Sequence, residues 1–184
     1  SAASDVYKRQ IKQDAPGQKA FLTDGQIYDL HSGKIISSSE LLADLATAQH
    51  LIIGEKHDNA EHHQIELWLI QNLLIQRPQG SVLLEMLTSE QQPRVNQVKC
   101  WLKDNPVVRN SRVQELLNWQ KGWSWEMYGD IVMQLLRGPY PLLNANIGRE
   151  QILALYKKNE FPKGKKSTAP VVQEALRETI IAMH

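Results

Sequence analysis

The chain alternates short apolar runs with longer amphipathic segments. Apolar runs cover residues 51–54, 81–86 and 140–146, and each one precedes a stretch with helical spacing. Strands separated by helices normally pair in parallel through crossover connections. We therefore predict an α/β fold in three layers, with a mostly parallel sheet flanked by helices.

The same pattern predicts the elements around that sheet. Residues 26–36, with a turn at Gly33, read as a small N-terminal hairpin. Ile65, Trp68, Leu69 and Leu73 recur at the spacing of one buried helix face, directly after the first predicted strand. Further helices are predicted at about 41–48, 90–103, 113–117, 124–136, 149–157 and 171–184.

Length and charge restrict the class of protein. The chain has 184 residues and a formal net charge of +1, which suits one globular domain and gives no basic field for nucleic acid. No apolar run is long enough to span a bilayer. Residues 1–10 lack the periodicity of the rest of the chain, so we expect them to be foreign to the domain of residues 11–184.

The most reactive groups come directly after the first predicted strand. Glu55, His57, His62 and His63 lie within a polar loop and the first turn of the next helix. The carboxyl edge of a parallel sheet is where α/β proteins place their sites. The plain structural alternatives are helix-start stabilisation for Glu55, packing for His62, solvent exposure for His63 and a structural role for His57.

Imidazole and carboxylate groups together also suit a metal ion. His62 and His63 are adjacent, so on a helix they diverge by about 100° and cannot both face one ion. His57 with one of them, plus Glu55 or Glu85, is a feasible set. Glu55, His57 and Glu85 are equally a candidate catalytic set that activates water for hydrolysis.

An aromatic cluster forms the second candidate. Trp119, Trp123 and Trp125 crowd the turn before Tyr128. These rings are either ordinary core or apolar walls for a flat cofactor. A tyrosinate can also be an axial ligand of ferric haem, so Tyr128 is either a core residue or a haem-iron ligand.

Four separated motifs resemble one known family. They are IYDL…GKII at residues 27–36, GEKHDNAEHHQ at 54–64, the segment from Trp119 to Tyr128, and NANIGR at 144–149. In this order they look like the ChaN-like haem-binding uptake proteins of the Tiki superfamily. The likeness runs from about residue 26 to the end of the chain. The G-E-x-H element alone is less specific, since it recurs in erythromycin-esterase-like and Tiki protease members.

The resemblance implies haem as cofactor, a homodimer with haem at its interface, and a role in haem and iron uptake. It implies tyrosine on the iron and basic or histidine side chains on the propionates. Tyr128 is the predicted ligand, with Tyr140 and Tyr156 as alternatives. The other predicted haem contacts are Glu55, His57, His62, His63 and Trp125.

The resemblance also implies a place in the cell. Family members are expected in the bacterial cell envelope, in the periplasm or at the outer membrane, as lipoproteins. Membrane attachment is expected only through a lipid anchor that this chain does not contain. Family proteins continue beyond this length, so we expect the C-terminal part to be missing. Binding rather than catalysis is the main interpretation, and a metal-dependent or Glu/His-dependent esterase or protease is the alternative.

Overall fold

The structure is a computed structural model that describes residues 25–158 and 169–183. The chain divides into two compact units, of which the first ends at Asn146 and the second begins at Ile147. The expectation about residues 1–10 lies outside the described residues. Within the described residues, no helix combines the length and apolar character needed to cross a membrane.

A small hairpin begins the described chain. Strand β1 (Ile27–Asp29) pairs antiparallel with β2 (Lys34–Ile36). The turn needs Gly33, whose φ of 68° lies in the left-handed region. The Asp29 carboxylate accepts hydrogen bonds from the backbone N–H groups of His31 and Ser32 and fixes the turn. The predicted N-terminal hairpin is confirmed.

The predicted helices lie close to their expected positions, because local capping residues mark several of their ends. Helix α1 (Ser38–Thr47), for example, begins with a capping box in which Ser37 and Glu40 satisfy each other's backbone N–H groups. The others are α2 (Ala60–Gln76), α3 (Gln92–Asp104), α4 (Asn110–Leu116), α5 (Trp125–Arg137), α6 (Arg149–Lys158) and α7 (Pro170–Met183).

The central pair of strands is parallel. Strand β3 (Val82–Thr88) pairs with β4 (Leu142–Asn146), with Leu83 opposite Leu143. Helices α3, α4 and α5 lie between these strands in sequence, as a parallel crossover requires. The α/β class and the parallel pairing are therefore confirmed.

The expected first strand at residues 51–54 is wrong in the described structure. This segment is irregular, and the described parallel sheet contains β3 and β4 alone. Ile52 is 94% exposed, so its apolar side chain is not part of the core in this structure. A strand needs a neighbouring strand to receive its backbone hydrogen bonds, and apolar composition alone does not supply one.

The core of the first unit lies between the strand pair and helices α3, α4 and α5. Its most deeply buried side chains come from all of these elements and are Leu87, Val95, Val113, Leu117, Ile131, Val132, Leu135, Leu136, Leu142 and Tyr128. A smaller cluster of Leu42, Leu69 and Leu73 joins α1 to α2. Helix α2 also packs against α5, and this contact brings the candidate residues together.

In the second unit, helices α6 and α7 carry exposed apolar side chains. On α6, Ile152, Leu153 and Leu155 are each more than a third exposed, and Tyr156 is 81% exposed.

Candidate functional site

The site begins with the loop that leads into α2. Asn59 is the helix N-cap, and its Oδ1 accepts hydrogen bonds from the backbone N–H groups of Glu61 and His62. The backbone N–H of Lys56 donates to Nδ1 of His62 at 3.0 Å. These contacts fold the loop back on the first turn of the helix.

Glu55 is the buried acceptor of this loop. Its side chain is 8% exposed, and Oε1 accepts the hydroxyl hydrogen bond of Tyr128 at 2.6 Å. Nδ1 of His57 lies 2.6 Å from the same oxygen. Burial alone raises the pKa of Glu55, but the hydrogen bonds from Tyr128 and His57 outweigh it and hold the pKa below its usual value. Glu55 is therefore a carboxylate at neutral pH.

His57 is the exposed member of the group. Its side chain is 55% exposed, and its ring lies edge-to-face with Trp123 at 4.9 Å. The hydrogen bond with Glu55 raises the pKa of His57 despite some desolvation, and the charges of Glu55, Glu85 and Asp58 add to the effect. Both hydrogen bonds of the ring within the described residues involve Nδ1, so Nε2 is the nitrogen available to a ligand.

Tyr128 is the buried member of the group. It is 1% exposed and lies edge-on to His63 at 4.5 Å and to Trp123 at 5.8 Å. Burial raises its pKa well above the usual range, and the hydrogen bond to Glu55 and nearby carboxylates raise it further. Its hydroxyl also lies 3.1 Å from Nδ1 of His57. The phenol is therefore protonated and already engaged.

Glu55, His57, His63 and Tyr128 thus meet between α2 and the loop before it on one side and α5 on the other. His62 and His63 exchange the surroundings expected for them. His62 is exposed, whereas His63 is 4% exposed and packs on Tyr128. The sequence places them on neighbouring faces, but α2 is rotated so that position 63 faces α5.

The tryptophan nearest the site is Trp123 rather than the predicted Trp125. Trp125 packs edge-to-face on Trp119 at 5.1 Å. Trp119 donates its indole N–H to the carbonyl of Trp123 at 2.8 Å and so fixes the turn that carries this ring. Spacing alone did not distinguish Trp123 from Trp125, because both precede Tyr128 by a few residues.

Two further carboxyl groups influence the site. Glu85 is exposed on β3 and acts on His57 and Tyr128 through its charge. Glu66 was not predicted, although it lies three residues after His63 on α2. Burial raises the pKa of Glu66, and the charge of Glu55 raises it further. Within the described residues, no group of three or more His, Cys, Asp or Glu side chains is arranged to hold a metal ion.

A buried carboxylate, an exposed imidazole and an aromatic wall are the kinds of group that bind small molecules or cofactors in α/β proteins. The family model described as haem-binding uptake, Tiki superfamily, ChaN matches residues 41–183. This match covers more than half of the chain, and the protein belongs to that family. The resemblance recognised in the sequence is confirmed.

A solved structure agrees with this assignment. The chain is similar to a structure of cofacial haem binding to ChaN of Campylobacter jejuni, with a TM-score of 0.73 and 29% sequence identity. The similarity covers 86% of this chain and 63% of that one, so this chain spans less than two thirds of its relative. None of the curated proteins compared with the chain matches it.

The residues at the site fit the cofactor of this family. An exposed imidazole beside an indole offers both a polar contact and an apolar wall, the two features that a porphyrin with carboxylate arms requires. Tyr128 fits less directly, because its buried hydroxyl already donates to Glu55. Ligation by Tyr128 stays a prediction, and it requires that this hydrogen bond be given up.

Proposed function

We propose that this chain binds haem at the group formed by Glu55, His57, Tyr128 and Trp123, as part of haem uptake. The observation that carries the proposal is the His57 imidazole, which is held at Nδ1 by a buried carboxylate and exposed at its other edge. This occurs in a chain that belongs to a haem-binding family.

His57 and His62 suit the propionates. The raised pKa of His57 increases its imidazolium fraction near neutral pH, and a cation favours a carboxylate partner. Nδ1 of His62 accepts the Lys56 backbone N–H, so its proton lies on Nε2, which can donate to an anion. Glu55 keeps the His57 ring oriented, and Trp123 supplies apolar contact.

A tyrosinate is the proposed iron ligand. Tyr128 has the support of its family motif, but its phenol is buried and protonated. Tyr156 is a second candidate, and the observation that favours it is its 81% exposure, which leaves the phenol accessible to a ligand. Tyr140 is 2% exposed and lacks this advantage.

Spectra of single variants decide between these tyrosines. Haemin is titrated into wild-type protein and into Tyr128→Phe, Tyr156→Phe and the matched control Tyr28→Phe. We expect a saturable Soret shift in wild-type protein and in the control, and loss of the tyrosinate charge-transfer band in one of the other two variants. A band that survives in both contradicts tyrosine ligation by either residue, and no Soret shift in wild-type protein contradicts the proposal as a whole.

We further propose that two copies enclose haem, and that the native protein is a lipoprotein of the bacterial cell envelope. The dimer is supported by the similarity to a protein with cofacial haem binding. Analytical ultracentrifugation with and without haemin tests it. A haemin-dependent increase to the mass of two chains is expected, and a monomer at saturating haemin contradicts it.

The Glu55–His57 pair also supports a second candidate function. A carboxylate 2.6 Å from Nδ1 leaves Nε2 as a general base that can activate water for ester or amide hydrolysis. A panel of ester and amide substrates tests this function. Activity that is lost in both Glu55→Gln and His57→Ala favours hydrolysis. No turnover of any substrate contradicts the hydrolase function and leaves haem binding as the proposed function.

A further inference from the structure

We infer that His63 is a positioning residue: its buried ring joins helix α2 to the loop that carries Glu55 and His57. It was predicted as a haem contact, and its side chain is 4% exposed and packs on Tyr128. The inference deepens the proposed function and rests on it where haem affinity is measured. Its structural measurement needs no haem.

The hydrogen bond of His63 shows which of its two ring nitrogens is the donor. Nε2 of His63 lies 3.1 Å from the backbone carbonyl oxygen of His57. A carbonyl oxygen only accepts, so Nε2 carries the proton and donates it. Nδ1 is buried without a hydrogen-bond partner among the described residues. The hydrogen bond from Nε2 is therefore the one that orients the ring.

One ring touches three parts of the site. Besides the carbonyl of His57, Nε2 of His63 lies 3.9 Å from Oε2 of Glu55. The ring also packs edge-on against Tyr128 at 4.5 Å. His63 lies in the first turn of α2, which Asn59 caps. The loop residue, the buried carboxylate and the phenol are therefore all held against one helix end.

The other described contacts of this loop do not hold the backbone of His57. Within the described residues, the backbone of Lys56 is hydrogen-bonded to Asn59 and His62. Among these residues, the backbone of His57 is hydrogen-bonded to the His63 ring alone. Loss of this bond allows the His57 carbonyl to move, and the short contact between Nδ1 of His57 and Glu55 depends on that backbone position. An imidazole that is no longer oriented binds an anion less well, because its orientation must then be restricted on binding.

Three substitutions separate a positioning role from simple packing. In His63→Gln the amide nitrogen reaches about as far as Nε2 and restores the donor. In His63→Asn the shorter side chain is polar but cannot reach the carbonyl, and His63→Leu fills the space without a donor. The ring ¹⁵N spectrum of His57 in haem-free protein at fixed pH reports its hydrogen bond to Glu55, and circular dichroism checks the fold.

We expect the wild-type His57 spectrum in the Gln variant and a changed spectrum in the Asn and Leu variants. Haemin affinity should fall about tenfold in Asn and Leu and stay within about threefold in Gln. An unchanged His57 spectrum in Asn or Leu overturns the inference, as does a folded Gln variant that behaves like Asn. If Leu does not fold, the Gln and Asn pair decides. Failure of wild-type protein to bind haemin refutes the proposed function and leaves the spectroscopic result standing.

Discussion

Tyr128→Phe removes a single hydroxyl and leaves the ring in place. The lost atom donates to the buried carboxylate of Glu55 at 2.6 Å, within the range of charge-assisted O–H···O⁻ bonds. Hydrogen bonds to charged groups contribute about 1.5–3 kcal/mol to stability. Oε1 of Glu55 keeps its contact with His57 after the substitution, so we expect the lower part of this range, about 2 kcal/mol.

Urea denaturation followed by tryptophan fluorescence measures this loss in the correct part of the chain. All five tryptophans precede Asn146 and therefore report on the first unit. Tyr28→Phe is the matched control, since Tyr28 is 58% exposed and its variant should lose less than about 0.5 kcal/mol. A double-mutant cycle with Glu55→Gln should give a coupling of at least about 1 kcal/mol.

A loss in Tyr128→Phe no larger than in the control, or additive effects in the cycle, would refute the reasoning. Either result would mean that the hydroxyl and the carboxylate do not stabilise each other in solution. The proposed orientation of His57 by Glu55 would then lose its foundation, because both contacts share one carboxylate oxygen.

Three further predictions concern stability. Burial raises the pKa of the Glu66 carboxyl above 4.5, so its contribution to stability is full below that pH and is lost as pH rises through the folded-state pKa. In thermal melts, Glu66→Gln should therefore be more stable than wild type at pH 8 and equal to it at pH 4. Lys99 donates to three carbonyls at the end of α5, so Lys99→Met should lose about 1–3 kcal/mol in urea, while exposed Lys103→Met should lose little. A Cβ at Gly138 would overlap the ring of Tyr140, so Gly138→Ala should cost about 1–3 kcal/mol, and a wild-type melting temperature would contradict this.

The helices could be predicted because the signals that start them are local. Ser37 and Asn59 cap their helices through backbone groups only a few residues away. The strand expected at residues 51–54 depended instead on a neighbour that the sequence does not specify, and Ile52 is exposed. The parallel pairing of β3 and β4 was predictable from the intervening helices, whereas the first and last residues of each strand were not.

The orientation of α2 shows why His62 and His63 were interchanged. This helix is apolar on more than one side. Leu69 and Leu73 face the small cluster with α1, while Leu67, Ile70 and Leu74 pack against the main core. Residue spacing alone therefore identifies only one of the two apolar faces of α2. The contact of α2 with α5 decides which of the two histidines is buried.

The candidate site was only partly readable for a similar reason. Glu55 and His57 are two residues apart, so their proximity follows from the sequence. Tyr128 meets Glu55 across 73 positions, and the family motifs rather than the spacing pointed to it. The contacts of Trp123 with His57 and Tyr128, and the burial of Glu66, depend on how the helices pack. Patterns in a single sequence do not determine that packing.

The affinity of haemin for wild-type protein, His57→Leu and the exposed control His31→Leu tests the central claim most directly. Loss of one partly exposed charged contact should weaken binding about tenfold, equivalent to about 1.4 kcal/mol, in His57→Leu. His31→Leu should bind haemin as wild type does. Equal affinity of all three proteins would contradict the claim that His57, held by Glu55, is the group that receives haem.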